Sequence, residues 1–438
     1  MKDSGIKWIG KIPDGWSTIR IKFTSWLKGR IGWDGLKSSE FVEKGPYLIT
    51  GTDFENGGIN WNTCVHISEA RYQEDELLHI KENDLLITKD GTIGKLAIVK
   101  NCPEKVSLNS GVMIIRGNSQ YKYSDKYLYY VLQSDEFFIW FELSQNGNST
   151  IRHLYQGQFY NFEFSYPTID EQQAIAAFLD KKCFVIDNLI SNETKQIEKL
   201  KEYRQAIITK AVTKGLDPNA PMKDSGVEWI GKIKQDYRCE KLKFLLSSPM
   251  LYGANESGGK QEKGCTRFIR ITDIDSNGNL KDTNDNQYLS ASKSTGYILK
   301  NKDILFARSG GTVGKSFLYK DQGFPCSFAG YLIKAECNET LLLPEFLYYY
   351  TKSSLYEIWK NMIFVQSTIQ NIGAQRYGNL DIVIPSIAEQ KQIVQYIDKK
   401  CMLINKLIDI KDRTRKQLLD FKQSLIYEYV TGKKRVSL

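Results

Sequence analysis

The sequence predicts an α+β protein: two pseudo-symmetric globular α/β domains separated by two long helices that form an antiparallel coiled coil. Three observations carry this expectation. The framework is written twice along the chain, and each copy strings short β-rich runs between turns. Each copy then ends in a long stretch whose apolar residues recur at steps of three and four.

The repeat is direct. MKDSGIKWIGKI at residues 1–12 returns as MKDSGVEWIGKI at residues 222–233, with Trp8 matching Trp229 at an offset of 221. DGTIGK at 90–95 faces GGTVGK at 310–315, and YPTIDEQQAIAAFLDKKC at 166–183 faces IPSIAEQKQIVQYIDKKC at 384–401. Between these matches the copies diverge, so one scaffold carries two different variable surfaces. The divisions expected are a first domain at 1–166, a first spacer helix at 167–214, a linker at 215–221, a second domain at 222–384 and a second spacer helix at 385–438. Two equivalent units in tandem favour a pseudo-two-fold arrangement, as subunits of oligomers do.

Within each copy PYLITG, DLLITK, KLAIVK and GVMIIRG are rich in β-branched and aromatic residues and bounded by Gly, Asn and Asp, the pattern of strands. YLYYVLQSDEFFIWF at 127–141 has the apolar length of a packed helix. Residues 171–213 contain no Pro or Gly. Their stripe runs Ala176, Leu179, Cys183, Ile186, Ile190, Glu193, Ile197, Leu200, Arg204, Ile207, Ala211. The matching stripe is Val394, Ile397, Cys401, Ile404, Ile408, Lys411, Arg415, Leu418, Lys422, Leu425, Tyr429. A rod of about 65 Å, at about 1.5 Å per residue, cannot bury such a stripe alone, and the other helix is its natural partner. Cys183 and Cys401 fall on the stripes as small hydrophobes.

With 438 residues the chain has room for two or three domains, and it carries 60 Lys and Arg against 51 Asp and Glu, which favours an anionic partner. Residues 1–16 are charged and turn-rich where a secretory signal would be apolar, so a cytoplasmic setting is expected. The eight cysteines form no C-x-x-C pair and do not cluster with His66, His79 and His153, so no metal site is expected.

GGTVGKS at 310–316 comes close to a phosphate-gripping ATPase loop, but Ser309 stands where the first Gly belongs. In the first copy Lys89 takes that place and Leu96 replaces the hydroxyl residue. The recurring pattern is therefore strand, Gly-rich turn, strand. No methyltransferase, nuclease, metallohydrolase or Ser-His-Asp constellation is present, and no catalytic residue is assigned.

KDSGxxWIGxI, strand-GTIGK-strand, and PxxxEQxxI leading into a long helix, all given twice, resemble the specificity subunit of type I restriction-modification enzymes, a component of host defence through DNA methylation and cleavage. The resemblance implies two target recognition domains, each reading part of a split double-stranded DNA target, with the helices as spacer. It implies two adenine-N6 methyltransferase subunits and further endonuclease/translocase subunits as partners. S-adenosylmethionine, ATP and Mg would then sit on those partners and no cofactor on this chain.

Base reading needs paired donors and acceptors, while Lys, Ser and Thr position phosphates. Where the copies diverge or the turn recurs, the candidates in the first domain are Lys28, Arg30, Thr50, Thr52, Lys89, Thr92, Lys95, Ser149 and Arg152. In the second they are Arg267, Arg270, Thr272, Arg308, Thr312, Lys315, Gln366, Ser367 and Gln370. The aromatics Trp33, Trp61, Tyr252 and Trp359 are expected in the core. The rival reading is a non-catalytic coiled-coil adaptor or recognition module that binds protein or RNA.

Overall fold

The computed structural model describes residues 1–30, 36–118, 121–145, 152–275, 278–365 and 371–436. The chain divides into two compact units, Met1–Thr194 with Arg413–Leu438, and Lys195–Asp412. Each unit thus contains half of each long helix. Ser149, Gln366, Ser367, Gln370 and Trp33 lie outside the described residues.

Both units repeat one topology. In the first, a four-stranded antiparallel sheet is ordered Leu96–Ile98, Leu85–Thr88, Val112–Gly117, Ser25–Gly29. In the second the same order is Ser316–Leu318, Ile304–Ala307, Leu332–Ala335, Leu251–Tyr252. A three-stranded sheet accompanies each, with one parallel pairing: Val106–Leu108 on Val42–Ile49, and Cys326–Phe328 on Thr266–Ile269.

The central strands read as continuous apolar runs because both of their faces are covered. Leu85 and Ile87 point into the cluster that holds the long helices, while Leu86 points into a second cluster with Val99, Val106 and Ile114. Ile304 and Phe306 against Leu305 and Ala307 divide in the same way. Alternation of side chains at period two places each strand between two cores.

The long helices are Ile169–Lys214 and Ile387–Val430. In the first unit Phe178 meets Tyr429 with ring centroids 4.4 Å apart, and Asp187 meets Lys422 at 2.7 Å. In the second, Arg204 donates to Asn405 at 2.6 Å, and Gly215 lies against Glu389. One number rises as the other falls in each unit, so the halves run antiparallel. Leu179, Cys183 and Ile186 pack with Leu425 and Val430; Ile397 and Cys401 pack with Ile208, Ala211 and Val212. Ile197 and Ile404 are also buried, and Ile190, Leu200, Ile408 and Leu418 are half-buried. Ile207, expected on the seam, is only half-buried. Here the stripe rotates by one residue to Ile208, because the helix end faces the globular core as well as the other helix.

The PxxxEQ signature has a local physical cause. Gln172 is fully buried; its amide donates to Pro167 O at 3.0 Å and its carbonyl accepts from Ser124 N at 3.0 Å. Gln390 repeats this with Pro385 O at 3.1 Å and Leu343 N at 2.8 Å. The preceding Glu anchors the first segment of each copy: Trp16 donates to Glu171 at 3.2 Å and Tyr237 to Glu389 at 2.7 Å. The helix expected over 127–141 is two helices, Asp125–Val131 and Asp135–Ser144. Ser134, whose hydroxyl accepts from Glu136 N at 3.3 Å, caps the second and ends the apolar run as one element.

Candidate nucleic-acid interface

The Gly-rich turn joins two antiparallel strands in both units, as the sequence indicates. In the first, Gly94 N donates to Thr88 O at 3.0 Å, and the Thr88 hydroxyl donates to Thr92 O at 2.6 Å. Gly91 and Gly94 take positive φ values of 65° and 85°, a conformation that costs Gly little. In the second, Gly314 N donates to Ala307 O at 2.9 Å, with Gly310 and Gly314 at 75° and 82°. These bonds project Thr92, Lys95 and Lys315 outward; Lys95 and Lys315 are exposed, and Thr312 is half-buried.

A second loop lies beside each turn. Thr50 N and its hydroxyl both donate to Asp53, at 2.7 and 2.9 Å, and Thr52 sits on Thr50 at 2.7 Å. Arg270 N donates to Asp273 at 2.7 Å in the matching loop, where Thr272 is exposed. A third strand of chain is tied to the turn by Leu154 N to Lys89 O at 3.0 Å in one unit and Ile372 N to Arg308 O at 2.8 Å in the other. Arg152 and the Asp90–His153 pair belong to the former.

Not every candidate reaches the surface. Arg30 is only 3% exposed and donates to Leu108 O at 3.1 Å. Lys89 is buried, gives its ammonium to Arg30 O at 3.0 Å, and is held below the usual lysine range by burial. Arg267 is 5% exposed and donates to Lys281 O and to Asn286 at 3.0 Å. These three cations tie strands and loops together from within, a placement opposite to the solvent-facing role anticipated for them. Lys28 is paired with Asp75 at 2.9 Å, Arg152 with Glu142, and Arg270 with Asp273 and Asp285 at 2.9 and 3.0 Å.

Arg308 is half-buried and lies 5.0 Å above the Tyr252 ring. Tyr252, expected in the core, is 41% exposed, and its hydroxyl accepts from Ala374 N at 2.9 Å. It forms a platform that presents a guanidinium, a role the sequence signalled only through an aromatic in a variable loop. Trp61 is half-buried with its indole donating to Lys100 O at 3.0 Å, and Trp359 is buried. No helix among the described residues is long and apolar enough to cross a membrane.

The family model described as the type I restriction modification DNA specificity domain matches residues 32–202 and again 255–419, one match for each copy of the repeat. The chain belongs to this family. Two copies of the domain make it a specificity subunit of the type I restriction-modification class. It is similar to the type I restriction enzyme MjaVIII specificity subunit of Methanocaldococcus jannaschii, 25% identical over 447 residues that cover 97% of this chain and 94% of that protein. It is 24% identical over 411 residues to the type I restriction enzyme EcoBI specificity subunit of Escherichia coli, covering 91% and 81% respectively. Among solved structures, a chain from a study of assembly and conformational transition in a type I R-M system matches with a TM-score of 0.68. That match covers 97% of this specificity subunit and 100% of the solved chain at 14% identity, so the fold is shared.

Proposed function

We propose that each unit reads one half of a bipartite double-stranded DNA target, and that the chain is a non-catalytic subunit whose chemistry is done by partners. The observation that carries this reading is the double family match on two units of one topology, whose divergent loops flank the same outward turn. The contacts we assign are Thr52, Thr92 and Lys95 in the first unit, and Thr272, Arg308, Thr312 and Lys315 in the second. Arg30, Lys89 and Arg267 become positioning residues. Lys28, Thr50, Arg152 and Arg270 act only if DNA displaces their present partners, and Ser149, Gln366, Ser367 and Gln370 stay in the set on chemistry alone.

Partner subunits are supported by large apolar side chains left exposed on the long helices. Phe184, Val185 and Phe421 in the first unit are 69, 55 and 54% exposed, and Met402 and Ile410 in the second are 52 and 58% exposed. Exposed apolar surface of this kind marks a covered interface. Two adenine-N6 methyltransferase subunits carrying S-adenosylmethionine, with endonuclease/translocase subunits carrying ATP and Mg, are the partners this reading requires.

Co-expression with the adenine-N6 methyltransferase subunit that this reading requires, followed by genome-wide mapping of N6-methyladenine, tests the reading. The expected result is a split motif methylated once on each strand. A co-purifying complex that methylates nothing would favour the adaptor reading instead.

A further inference from the structure

The second unit contains a cavity of about 470 Å³ between the Gly314–Ser316 end of the turn, the chain around Lys352 and the first long helix near Arg204. Five cations line it, Lys201, Arg204, Lys315, Lys352 and Lys360, against the two carboxylates Glu202 and Glu357. Glu357 is taken by Lys360 at 2.6 Å. Arg204 rests on the neutral amide oxygen of Asn405 at 2.6 Å. Lys352 donates to Ser316 O at 3.0 Å, and its ammonium lies 4.6 Å from the Tyr348 ring. Among the described residues neither Lys352 nor Lys315 has a carboxylate within ion-pair distance.

Burial, and then the neighbouring charge of Lys315, push Lys352 down to about 8; Arg204 and Lys360 act in the same direction and only Glu357 opposes them. A cation removed from water without a fixed counter-ion is unfavourable, and an anion from outside relieves it.

The first unit has lost this arrangement at the matching positions. Gln133 stands for Lys352, Phe141 for Lys360 and Leu419 for Lys201. Asp187 replaces Asn405 and neutralises Lys422, the counterpart of Arg204, at 2.7 Å. The framework therefore does not need Lys352, Lys360 and Lys201 at these positions.

We propose that this cavity binds a phosphate group brought by a ligand from outside the chain, with Lys352 and Arg204 at its floor and Lys315 at its mouth. A multiply charged oxyanion matches several cations converging on one volume, where a single carboxylate would satisfy one or two. The volume lies in the range of small-ligand sites. A free phosphate-bearing metabolite and a DNA backbone both offer this chemistry.

Titration calorimetry of the full-length chain with inorganic pyrophosphate, at pH 8 in buffers of different ionisation enthalpy, tests the proposal. Wild-type binding is expected to take up more protons than binding by Lys352→Met, as Lys352 recovers its charge, and this difference is expected to fade as the pH falls well below 8. Lys352→Met is expected to weaken binding at least about tenfold, as the loss of a charge-assisted contact of about 1.4 kcal/mol or more implies. Its melting temperature should be unchanged or raised, because a desolvated charge has been removed. Absence of pyrophosphate binding, or equal binding by Lys352→Met, overturns the proposal. Displacement of bound pyrophosphate by a nonspecific duplex assigns the phosphate to DNA; pyrophosphate that stays bound assigns the site to a free ligand.

Discussion

The two units share a topology but put their buried polar atoms in different places. In the first, Tyr127, Glu136 and Ser165 form a polar cluster in the core; the matching positions in the second are Phe346, Leu355 and Val383. Glu136 is fully buried, accepts from the Ser165 hydroxyl at 2.6 Å through one oxygen, and leaves the other without a partner among the described residues. The Tyr127 hydroxyl sits 2.9 Å from the carbonyls of both Ser165 and Val430, the latter at the end of the second long helix. The second unit fills this space with hydrocarbon and places Lys352 and Lys360 where the first has Gln133 and Phe141. Shape is what the copies hold in common, while the location of charge is free to drift.

The largest test of that comparison is to open the shared seam. Leu179 and Ile397 are matching residues, both fully buried between a long helix and a globular core. Leu179→Ala and Ile397→Ala should each cost about 2–5 kcal/mol, the usual range for such cavities. Denaturant unfolding should give similar losses in both; a large loss in one alone would mean that the units do not share their packing.

Glu136 should separate the units by pH. Burial pushes its carboxyl up to about 8 from the ordinary 4.5, although the Ser165 hydrogen bond acts the other way. Between those values the folded state holds a proton that the unfolded chain has lost. Stability therefore falls as pH rises through this window, by at most about 1.4 kcal/mol per pH unit, and levels off above 8. Urea unfolding of Glu136→Gln should lack this slope; a variant that keeps the wild-type slope would place the titrating group elsewhere.

The smallest expected effect is on DNA. Lys95→Ala and Lys315→Ala should each weaken binding with little dependence on sequence, and each should reduce the salt slope of log K by about 0.9 if it removes one phosphate contact. A loss of discrimination at one base, with the salt slope unchanged, would make that lysine a base reader.

Much of the fold was legible because its causes are periodic. The strands around the turn, the seams and the duplication all show as spacing in the chain. The break at Ser134 was not legible, since apolar residues run through it and only a capping hydroxyl marks the stop. The interior placement of Arg30, Lys89 and Arg267 was hidden for another reason. Each gives a hydrogen bond to a backbone carbonyl, at Leu108, Arg30 and Lys281, a group that carries no side-chain signature. Tyr252 was misplaced because an aromatic reads as core until the neighbouring Arg308 is seen.

Among the described residues Gln172 and Gln390 grip main-chain atoms: the amide hydrogens of Ser124 and Leu343, and the carbonyls of Pro167, Leu341 and Pro385. Nearly every residue offers the same main-chain groups, so these joints are indifferent to the side chains they fasten. A loop could be rewritten from end to end and the clasp beneath it would still close. Diversity on the surface and permanence in the frame are, in this molecule, two results of one choice of hydrogen-bond partner.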